Sequence, residues 1–282
     1  MSVALEPEIQ DALRRAGLRA RSVTGISTIR SPAIDRAAYR IHAGDRLVKA
    51  RRLESVSVAR RLCELRHELP GAFAPVLFRH GRVLLEEWID GEPLPHRPRP
   101  RLLEEAGALL AALHGRRTLG RRVLHRARST RVHVAAAENG LRAAAAAGAL
   151  GAREAALLGR ALGRFDPRTA RHGLVHFDFA GENMIVDREG TLRVVDNERV
   201  TIDALGFDLG RAWYRWSLPA DGWARFCAAY AANASWSEPL ASLRFWRIVA
   251  AARAAALRLH ACPERSAAPL GCLRALAAEL SR

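Results

Sequence analysis

Four polar residues between positions 174 and 198 have the types and the spacing that suit chemistry on a hydroxyl group. His176 and Asp178 form a His-x-Asp motif, Asn183 follows five positions after Asp178, and Asp196 closes a second apolar run. Carboxylate and amide oxygens are good ligands for magnesium, and a carboxylate can orient an attacking hydroxyl and accept its proton. The spacing therefore predicts a site that holds a divalent metal and a hydroxyl nucleophile beside a nucleotide phosphate.

A strand, a loop and a hairpin position these residues. The sequence predicts that Asp178 lies in a loop after a short apolar run, and that Asn183 enters a strand at 184–186. A turn at 187–190 leads into a second strand that ends at Asp196. We therefore expect the hairpin to bring Asp196 back beside Asn183, so that both side chains face one metal.

Lys49 is the only lysine in the chain, and the other 44 basic residues are arginine. Arginine does not replace lysine where the geometry demands a compact ammonium group. Lys49 lies in the β-like stretch 46–50, which follows a Gly-Asp turn at 43–45. The sequence therefore singles out Lys49, on a predicted third strand, as a residue with a position-specific task.

The part of the chain before about residue 90 alternates short strands with two helices. The predicted elements are a helix at 7–16, strands at 21–27, 38–42 and 46–50, a helix at 55–69, and strands at 75–79 and 82–88. A break at 90–93 and four prolines between 93 and 100 follow. We therefore expect two domains, 1–89 and 90–282.

Helical patterns dominate after this break. The predicted helices lie at 101–114, at 134–162 as one or two alanine-rich helices, from 205 onward, and at 220–232, 240–261 and 266–281. Together with the strands of the first part, these helices predict an α+β fold.

The His-x-Asp-x-x-x-x-Asn motif and its hairpin resemble the catalytic and metal-binding loops of the aminoglycoside phosphotransferase and choline kinase family. The segment 84–94 looks like that family's interlobe hinge, whose backbone receives the adenine, and 109–114 looks like the helix leading to its catalytic core. The resemblance covers about residues 25–216. It implies a two-lobed, protein-kinase-like fold with a small antiparallel β-sheet N-lobe carrying one main helix, and a larger, mostly α-helical C-lobe.

The resemblance implies ATP-dependent phosphorylation of a hydroxyl group on a small molecule. Asp178 would be the catalytic base, and Asn183 and Asp196 would bind Mg²⁺. His176 and Asp208 would support the catalytic loop rather than take part in the chemistry.

The same resemblance implies how ATP is held. Lys49 matches the lysine that contacts the α- and β-phosphates, and the hinge residues Glu87, Trp88 and Ile89 would take the adenine. No glutamate of the helix at 55–69 can be assigned as the partner of Lys49.

The chain departs from the family's pattern at three places. Phe177 stands where the aminoglycoside enzymes usually carry glycine, and Asn197 follows Asp196 where an aromatic residue is common. Residues 27–37 contain no glycine, although a loop covering the phosphates is expected there. Phe177 and Asn197 mark the segment as divergent from the best-known drug-modifying members of the family, whereas the glycine-poor loop favours a non-catalytic module.

The composition excludes several other classes of protein. Four cysteines without a CxxC pair disfavour a zinc site or a disulfide framework. The longest uncharged run, 226–237, is too short to span a membrane, and the N-terminal residues lack the pattern of a signal peptide. We therefore expect a cytoplasmic protein with no membrane span, whose oligomeric state the sequence leaves open.

The formal net charge of +16 raises the possibility of nucleic-acid binding. Half of that charge lies in the segment 97–131, which holds ten arginines and only two acids. No RNA-binding aromatic signature accompanies it, so the sequence disfavours a nucleic-acid partner.

Two questions stay open at this point. One alternative is a catalytically weak or inactive kinase-like module that binds a nucleotide or a partner. The acceptor of an active enzyme is a sugar, a glycolipid precursor or another small metabolite, with an aminoglycoside or an amino alcohol as the alternative. The few acids after residue 205 and the positive net charge disfavour a polycation.

Overall fold

The computed structural model describes residues 4–26, 37–95, 98–116 and 129–282. These residues form two compact units, one from Met1–Leu94 with Asn183–Glu198 and one from Pro95–Glu182 with Arg199–Arg282. Residues 27–36 of the expected phosphate-covering loop at 27–37 and part of the arginine-rich segment 97–131 lie outside the described residues. The expected functional division into 1–89 and 90–282 stays a prediction.

The first unit contains an antiparallel sheet in the order β1-β2-β3-β5-β4. Its strands are β1 (Ala20–Gly25), β2 (Ala37–Ala43), β3 (Arg46–Arg52), β4 (Val76–His80) and β5 (Val83–Glu87), and its helices are α1 (Pro7–Arg15) and α2 (Val56–Glu68).

Alternation along β3 gives the sheet two different faces. Val48 and Ala50 are fully buried in a cluster with Ile9 and Leu13 of α1, whereas the side chains of Lys49 and its alternate neighbours point the other way. Burying a side chain such as Ile9 stabilises the fold by about 1.5–3 kcal/mol. One face of the sheet is therefore closed by α1, and the other carries charge.

Helix α2 begins at Ser55, whose hydroxyl accepts a hydrogen bond from the amide of Val58 at 3.3 Å. Leu62 and Leu65 are buried on one face of the helix. Arg66 is also buried, which is unusual for arginine and requires charged or polar partners.

A second sheet of the first unit contains the predicted hairpin. It has the order β6-β8-β9, in which β6 is Gly91–Pro93, β8 is Met184–Asp187 and β9 is Leu192–Val194. A side chain at position 91 would overlap the carbonyl oxygen of Val186, so the pairing of β6 with β8 requires glycine there. The hairpin prediction is confirmed, whereas the short strand β6 was not predicted.

The second unit is mostly helical. Its helices are α3 (Pro100–His114), α4 (Thr130–Ala146), α5 (Ala152–Phe165), α6 (Leu205–Trp216), α7 (Ala220–Asn233), α8 (Glu238–Ala241), α9 (Leu243–Ala261) and α10 (Ala267–Leu280). Strands β7 (His172–Val175) and β10 (Thr201–Ala204) form an antiparallel pair.

The core of the second unit depends on a close approach of α6 to α9. Side chains at Gly206 or Gly210 would overlap Trp246, which is fully buried in the main cluster of this unit. Two glycines one helical turn apart let the helices pack at short range. Asp208 lies between the two glycines along α6, and its side chain contacts His114 and the turn at residues 176 and 177.

The α+β class and the pattern of a sheet followed by helices are confirmed. The alanine-rich stretch 134–162 forms two helices, separated near Gly148, which has a positive φ of 65°. Strand β10 was not predicted. None of the helices in the described ranges combines the length and the apolar character that crossing a membrane requires.

Candidate active site

The first unit contains a cavity of about 490 Å³, counting its open mouth. Its apolar wall is formed by Ile26, Ala74, Ile89, Ile185 and Val194. Its polar lining includes Lys49, Arg51, Glu86 and Asp196. A mostly apolar cavity with a few convergent charged groups is typical of a small-molecule site.

Lys49 lies at this cavity, directly opposite Glu86 on β5. Burial and the charge of Arg51 lower the pKa of its ammonium group, whereas Glu86, Glu198 and Asp196 act in the opposite direction. The net result is a Lys49 pKa below its usual value. An anionic phosphate bound here would favour the charged form of Lys49 and reverse part of this shift.

Two arginines converge on Glu86 from different elements. The Nε atom of Arg51 lies 2.6 Å from Glu86 Oε2, and Arg66 of α2 pairs with the other carboxylate oxygen. The carboxylate and both guanidinium groups are almost fully buried. A buried charge of this kind is stable only when it is paired and hydrogen-bonded.

The cluster extends to the segment that follows β9. Arg51 Nη1 donates to Glu198 at 2.8 Å, and Arg66 Nη2 donates to the side-chain oxygen of Asn197 at 3.1 Å. The acids that act on Lys49 therefore come from β5 and from this segment, whereas α2 contributes an arginine. Nothing in the sequence indicated that these acids, rather than a glutamate of α2, lie near Lys49, because the residues are far apart along the chain.

The predicted hinge residues Glu87, Trp88 and Ile89 also line the cavity. The amide of Glu87 donates to the carbonyl of Pro75 at 2.9 Å, and the amide of Trp88 donates to the carbonyl of Leu47 at 3.0 Å. These two N–H groups are thus already used within the first unit. Of the three residues, Ile89 is the one whose amide these two bonds leave unused.

Asp196 and Asn183 are held together by the backbone of the hairpin. The amide of Val195 donates to the carbonyl of Asn183 at 2.8 Å, and Met184 pairs with Val194. Asp196 itself has a φ of 55°, a left-handed conformation that aspartate tolerates better than most residues. The hairpin therefore places the two predicted metal ligands at the same end of β8 and β9.

The donor set at this end of the hairpin fits magnesium. It consists of an amide oxygen, the carboxylate of Asp196 and the carboxylate of Glu198, which lies within hydrogen-bonding reach of Asp196. Among the described residues, no group of three or more His, Cys, Asp or Glu side chains forms a metal site on its own. Magnesium is usually bound by one or two carboxylates together with substrate phosphates and water, so a set of this size suffices.

In the second unit, Asp208 accepts hydrogen bonds from the turn that carries Asp178. The backbone amides of His176 and Phe177 donate to its two oxygens at 2.6 and 2.8 Å, and the ring of His114 lies 3.3 Å from it. Burial raises the pKa of Asp208, but His114 and the other donors outweigh burial and hold that pKa below its usual value. Ionised Asp208 thus fixes the backbone immediately before Asp178.

Phe177 adopts a φ of 70°, in the left-handed region where glycine is relaxed and a bulky residue is strained. The centroid of its ring lies 5.4 Å from that of Phe207. The guanidinium carbons of Arg199 and Arg211 lie 5.5 and 5.1 Å from the same ring centroid. A backbone conformation that glycine tolerates best therefore carries an aromatic side chain here.

Asp178 pairs with two arginines that the sequence interpretation missed. Arg211 Nη2 donates to Asp178 Oδ1 at 3.0 Å, and Arg215 Nη1 lies 3.4 Å from the same oxygen. Both arginines project from α6, four residues apart. The spacing was readable, but in a chain with 44 arginines an i,i+4 pair carries no distinctive signal.

The structure places the predicted site residues in two groups. Lys49, Glu87, Trp88, Ile89 and Asp196 line one cavity, and Asn183 joins them through the hairpin. His176, Asp178 and Asp208 lie together in the second unit. The chain passes from the second group to the first between Glu182 and Asn183.

Residues 26–246 match the model of the phosphotransferase enzyme family. None of the curated proteins matches the chain.

Several solved structures share the fold. A spectinomycin phosphotransferase in complex with ADP and spectinomycin is 10% identical, with 100% of this chain and 99% of that chain covered and a TM-score of 0.65. A macrolide 2′-phosphotransferase of type I is 14% identical over 99% of both chains, with a TM-score of 0.65. A choline kinase from Streptococcus pneumoniae is 12% identical over 93% of this chain and 94% of that chain, also with a TM-score of 0.65.

Proposed function

Because the chain belongs to the phosphotransferase enzyme family, and is thus a small-molecule kinase, we propose that it transfers the γ-phosphoryl group of ATP, with Mg²⁺, to a hydroxyl group of its acceptor. The observation that carries this proposal is the cavity of the first unit. The only lysine of the chain, the acid Asp196 and the segment 87–89 all line it. In this combination, Lys49 would contact the phosphates, Asp196 would bind the metal, and the backbone of residues 87–89 would contact the adenine.

The apolar wall and the charged lining suit the two ends of ATP. Ile89, Ile185 and Val194 would pack against the adenine, and Lys49 would contact the phosphates. A desolvated lysine attracts phosphate strongly, because the interaction is poorly screened away from water. Arg51 and Arg66 are held by Glu86, which leaves Lys49 as the cation best suited to the phosphates.

Asn183 and Asp196 would hold Mg²⁺, with Glu198 beside them. When bound, the ion would neutralise charge on the phosphates and on the carboxylates around it. Arg51, through its bond to Glu198, keeps the segment after β9 in place.

Asp178 would orient the acceptor hydroxyl and take its proton. The acceptor oxygen forms a bond to the γ-phosphorus while the bond from that phosphorus to the β,γ-bridging oxygen breaks, and ADP leaves with the electron pair. The proton then passes from Asp178 to water. The amides fixed by Asp208 hold the turn that presents this carboxylate.

The acceptor is a small molecule with a hydroxyl group: a sugar, a glycolipid precursor, an aminoglycoside or an amino alcohol. The structural neighbours act on chemically different compounds, such as spectinomycin and choline, so they do not select among these. The cysteines that the structure describes are all unpaired, which fits a reducing compartment. A cytoplasmic location stays a prediction.

Thermal unfolding with and without MgATP tests the nucleotide side. We expect MgATP to raise the melting temperature of the wild type, and the shift to vanish in Asp196→Ala and to shrink in Lys49→Ala. Asp45→Ala removes an exposed acid of the same unit and should keep the full shift. No shift in the wild type would favour the inactive module instead.

ATP consumption in the presence of hydroxylated metabolites tests the chemistry. Asp178→Ala should abolish acceptor-dependent ADP release while it keeps the thermal shift with MgATP. Turnover that persists in this variant would remove Asp178 from the role of base.

A further inference from the structure

Arg211 and Arg215 place two positive charges on the carboxylate that would act as the base. Both approach Asp178 Oδ1, and Arg215 also pairs with Glu182. A base that takes a proton from a hydroxyl group does not itself need two guanidinium partners. Their presence at this point of the second unit calls for a further explanation.

The two arginines retain donors beyond those that these contacts use. An arginine side chain has five N–H groups, whereas the contacts at Asp178 and Glu182 engage one nitrogen of Arg211 and two of Arg215. Arg211 is only 14% exposed, and within the described part of the chain its Nε atom is buried without a hydrogen-bond partner. That atom has no exposed surface, so a ligand would reach the two arginines through the parts of their side chains that stay exposed, 14% for Arg211 and 20% for Arg215.

Three arginines and three carboxylates lie around the turn that carries Asp178. Arg199 adds a third guanidinium over the ring of Phe177, and Asp178, Glu182 and Asp208 are the carboxylates. The oxygens of Asp208 already accept hydrogen bonds from two backbone amides and face His114. The guanidinium groups of Arg211 and Arg215 are therefore the groups of this turn that keep N–H donors for an oxyanion.

We infer that the acceptor is an alcohol that also carries an oxyanion, a carboxylate or a phosphate, and that Arg211 and Arg215 bind this group. The inference rests on the proposed phosphotransfer and names the acceptor class for it. A guanidinium group matches a carboxylate or a phosphate with two parallel hydrogen bonds. The acceptor's hydroxyl would then be presented to Asp178 by the arginines that already contact that carboxylate.

Matched pairs of acceptors test the inference. The probes are glycerate and glycerol, gluconate and glucose, and glycerol 3-phosphate, with choline as the cationic member. We expect ADP release with at least one oxyanion compound, at a kcat/KM at least tenfold above that of its neutral counterpart or of choline. Confirmation of the phosphorylated product by phosphorus NMR separates transfer from ATP hydrolysis.

Substitutions of the arginines separate substrate recognition from a structural role. Arg215→Gln should raise KM for the oxyanion acceptor about 10–100-fold, the loss expected for a hydrogen bond to a charged group, and leave the MgATP thermal shift unchanged. Arg215→Glu should move the preference toward choline, which a merely structural arginine would not do. Arg225→Gln on α7, where the half-exposed side chain lies 3.7 Å from Glu104, is the matched control and should change neither parameter.

Three results would overturn the inference and leave the phosphotransfer intact. One is preferred turnover of neutral or cationic acceptors. Another is an equal loss of kcat for every acceptor in Arg215→Gln, which would assign the arginine to the transferred phosphoryl group. The third is that MgATP stabilises the protein, but no oxyanion compound, including inorganic phosphate, adds a further stabilisation that depends on Arg211 and Arg215. Absence of any MgATP effect would instead remove the proposed function itself.

Discussion

Phe177 places a bulky side chain on a left-handed backbone. The turn requires a left-handed conformation, because the amides of residues 176 and 177 both point at Asp208. The ring contacts with Phe207 and Arg211 then offset the strain of a bulky side chain in that conformation. The sequence shows Phe177 where the family usually carries glycine, whereas only the structure shows that this residue adopts a left-handed conformation.

Substitution of Phe177 separates the strain from the packing. Phe177→Ala loses the ring and keeps the strain, whereas Phe177→Gly loses the ring and relieves it. Glycine is ordinarily less stable than alanine by about 0.5–1 kcal/mol, but here we expect the glycine variant to be more stable by about 1 kcal/mol. Urea unfolding measures the difference, and an alanine variant of equal or greater stability would contradict the strain.

His176 should make stability depend on pH. Burial lowers the pKa of its imidazole, although the carboxylates of Asp208 and Asp178 oppose this. Because the folded-state pKa lies below the unfolded value of 6.5, the unfolded chain binds the proton first. The contribution to stability is therefore complete above about pH 6.5 and is lost as the pH falls below it.

We expect His176→Asn to flatten the fall in the free energy of unfolding between pH 7 and pH 5. His67→Asn, at an exposed position of α2, is the control and should follow the wild type. Parallel curves for the wild type and the His176 variant would show that His176 is not kept neutral.

At the scale of elements, the sequence predicts what local spacing determines. The hairpin at 184–194, the third strand and the long helices follow from periodicity and turn residues. The ion cluster of Arg51, Arg66 and Glu86 does not, because β3, α2 and β5 meet only in the folded sheet. Strands β6 and β10 were not predicted for a different reason, because three or four residues show too little alternation to identify a strand.

Glu86 should be critical for the first unit. Glu86→Ala leaves two buried guanidinium groups without their shared carboxylate, and we expect a loss of about 3–5 kcal/mol. Arg15→Ala breaks a pair with Asp11 in which the arginine is 57% exposed, and should cost less than about 1 kcal/mol. Similar losses in the two variants, measured by urea unfolding, would argue against a structural role for the buried cluster.

The contact of α6 with α9 should tolerate no added methyl group. We expect Gly210→Ala to destabilise the second unit by about 1–3 kcal/mol, because the methyl would overlap the backbone of Trp246. Gly159→Ala in α5, where the added methyl meets nothing within 4 Å, should instead stabilise by about 0.5–1 kcal/mol. Thermal unfolding of both variants checks the opposite signs, and stabilisation by both would contradict the close packing.

At the scale of the whole molecule, the first unit is assembled from two separate parts of the chain. Met1–Leu94 supplies the large sheet, and Asn183–Glu198 supplies the hairpin with Asp196. A linear division at residue 90 does not describe this arrangement, because periodicity reports local elements and not which distant segments share a core. The amide of Leu94 donates to the carbonyl of Met184 at 3.0 Å, so the two parts are neighbours where the chain leaves the unit.

Residues 1–94 alone should therefore bind no MgATP and show no cooperative thermal unfolding. A single chain that joins 1–94 to 183–198 through a short Gly-Ser linker should recover cooperative unfolding, because the junction spans neighbouring residues. Cooperative unfolding and nucleotide binding by 1–94 alone would show that the hairpin is dispensable.

This divided unit also has a consequence during protein synthesis. After residue 94 has been translated, about a hundred further residues must follow before the hairpin is made, and at about 5–20 residues per second this takes roughly 5–20 s. Throughout that interval the nascent chain carries Lys49 on a sheet whose strands are all present, in a unit that still lacks the hairpin and the proposed metal ligands. We therefore expect the proposed nucleotide site to form only after α3, α4 and α5, which all precede the hairpin, have been synthesised.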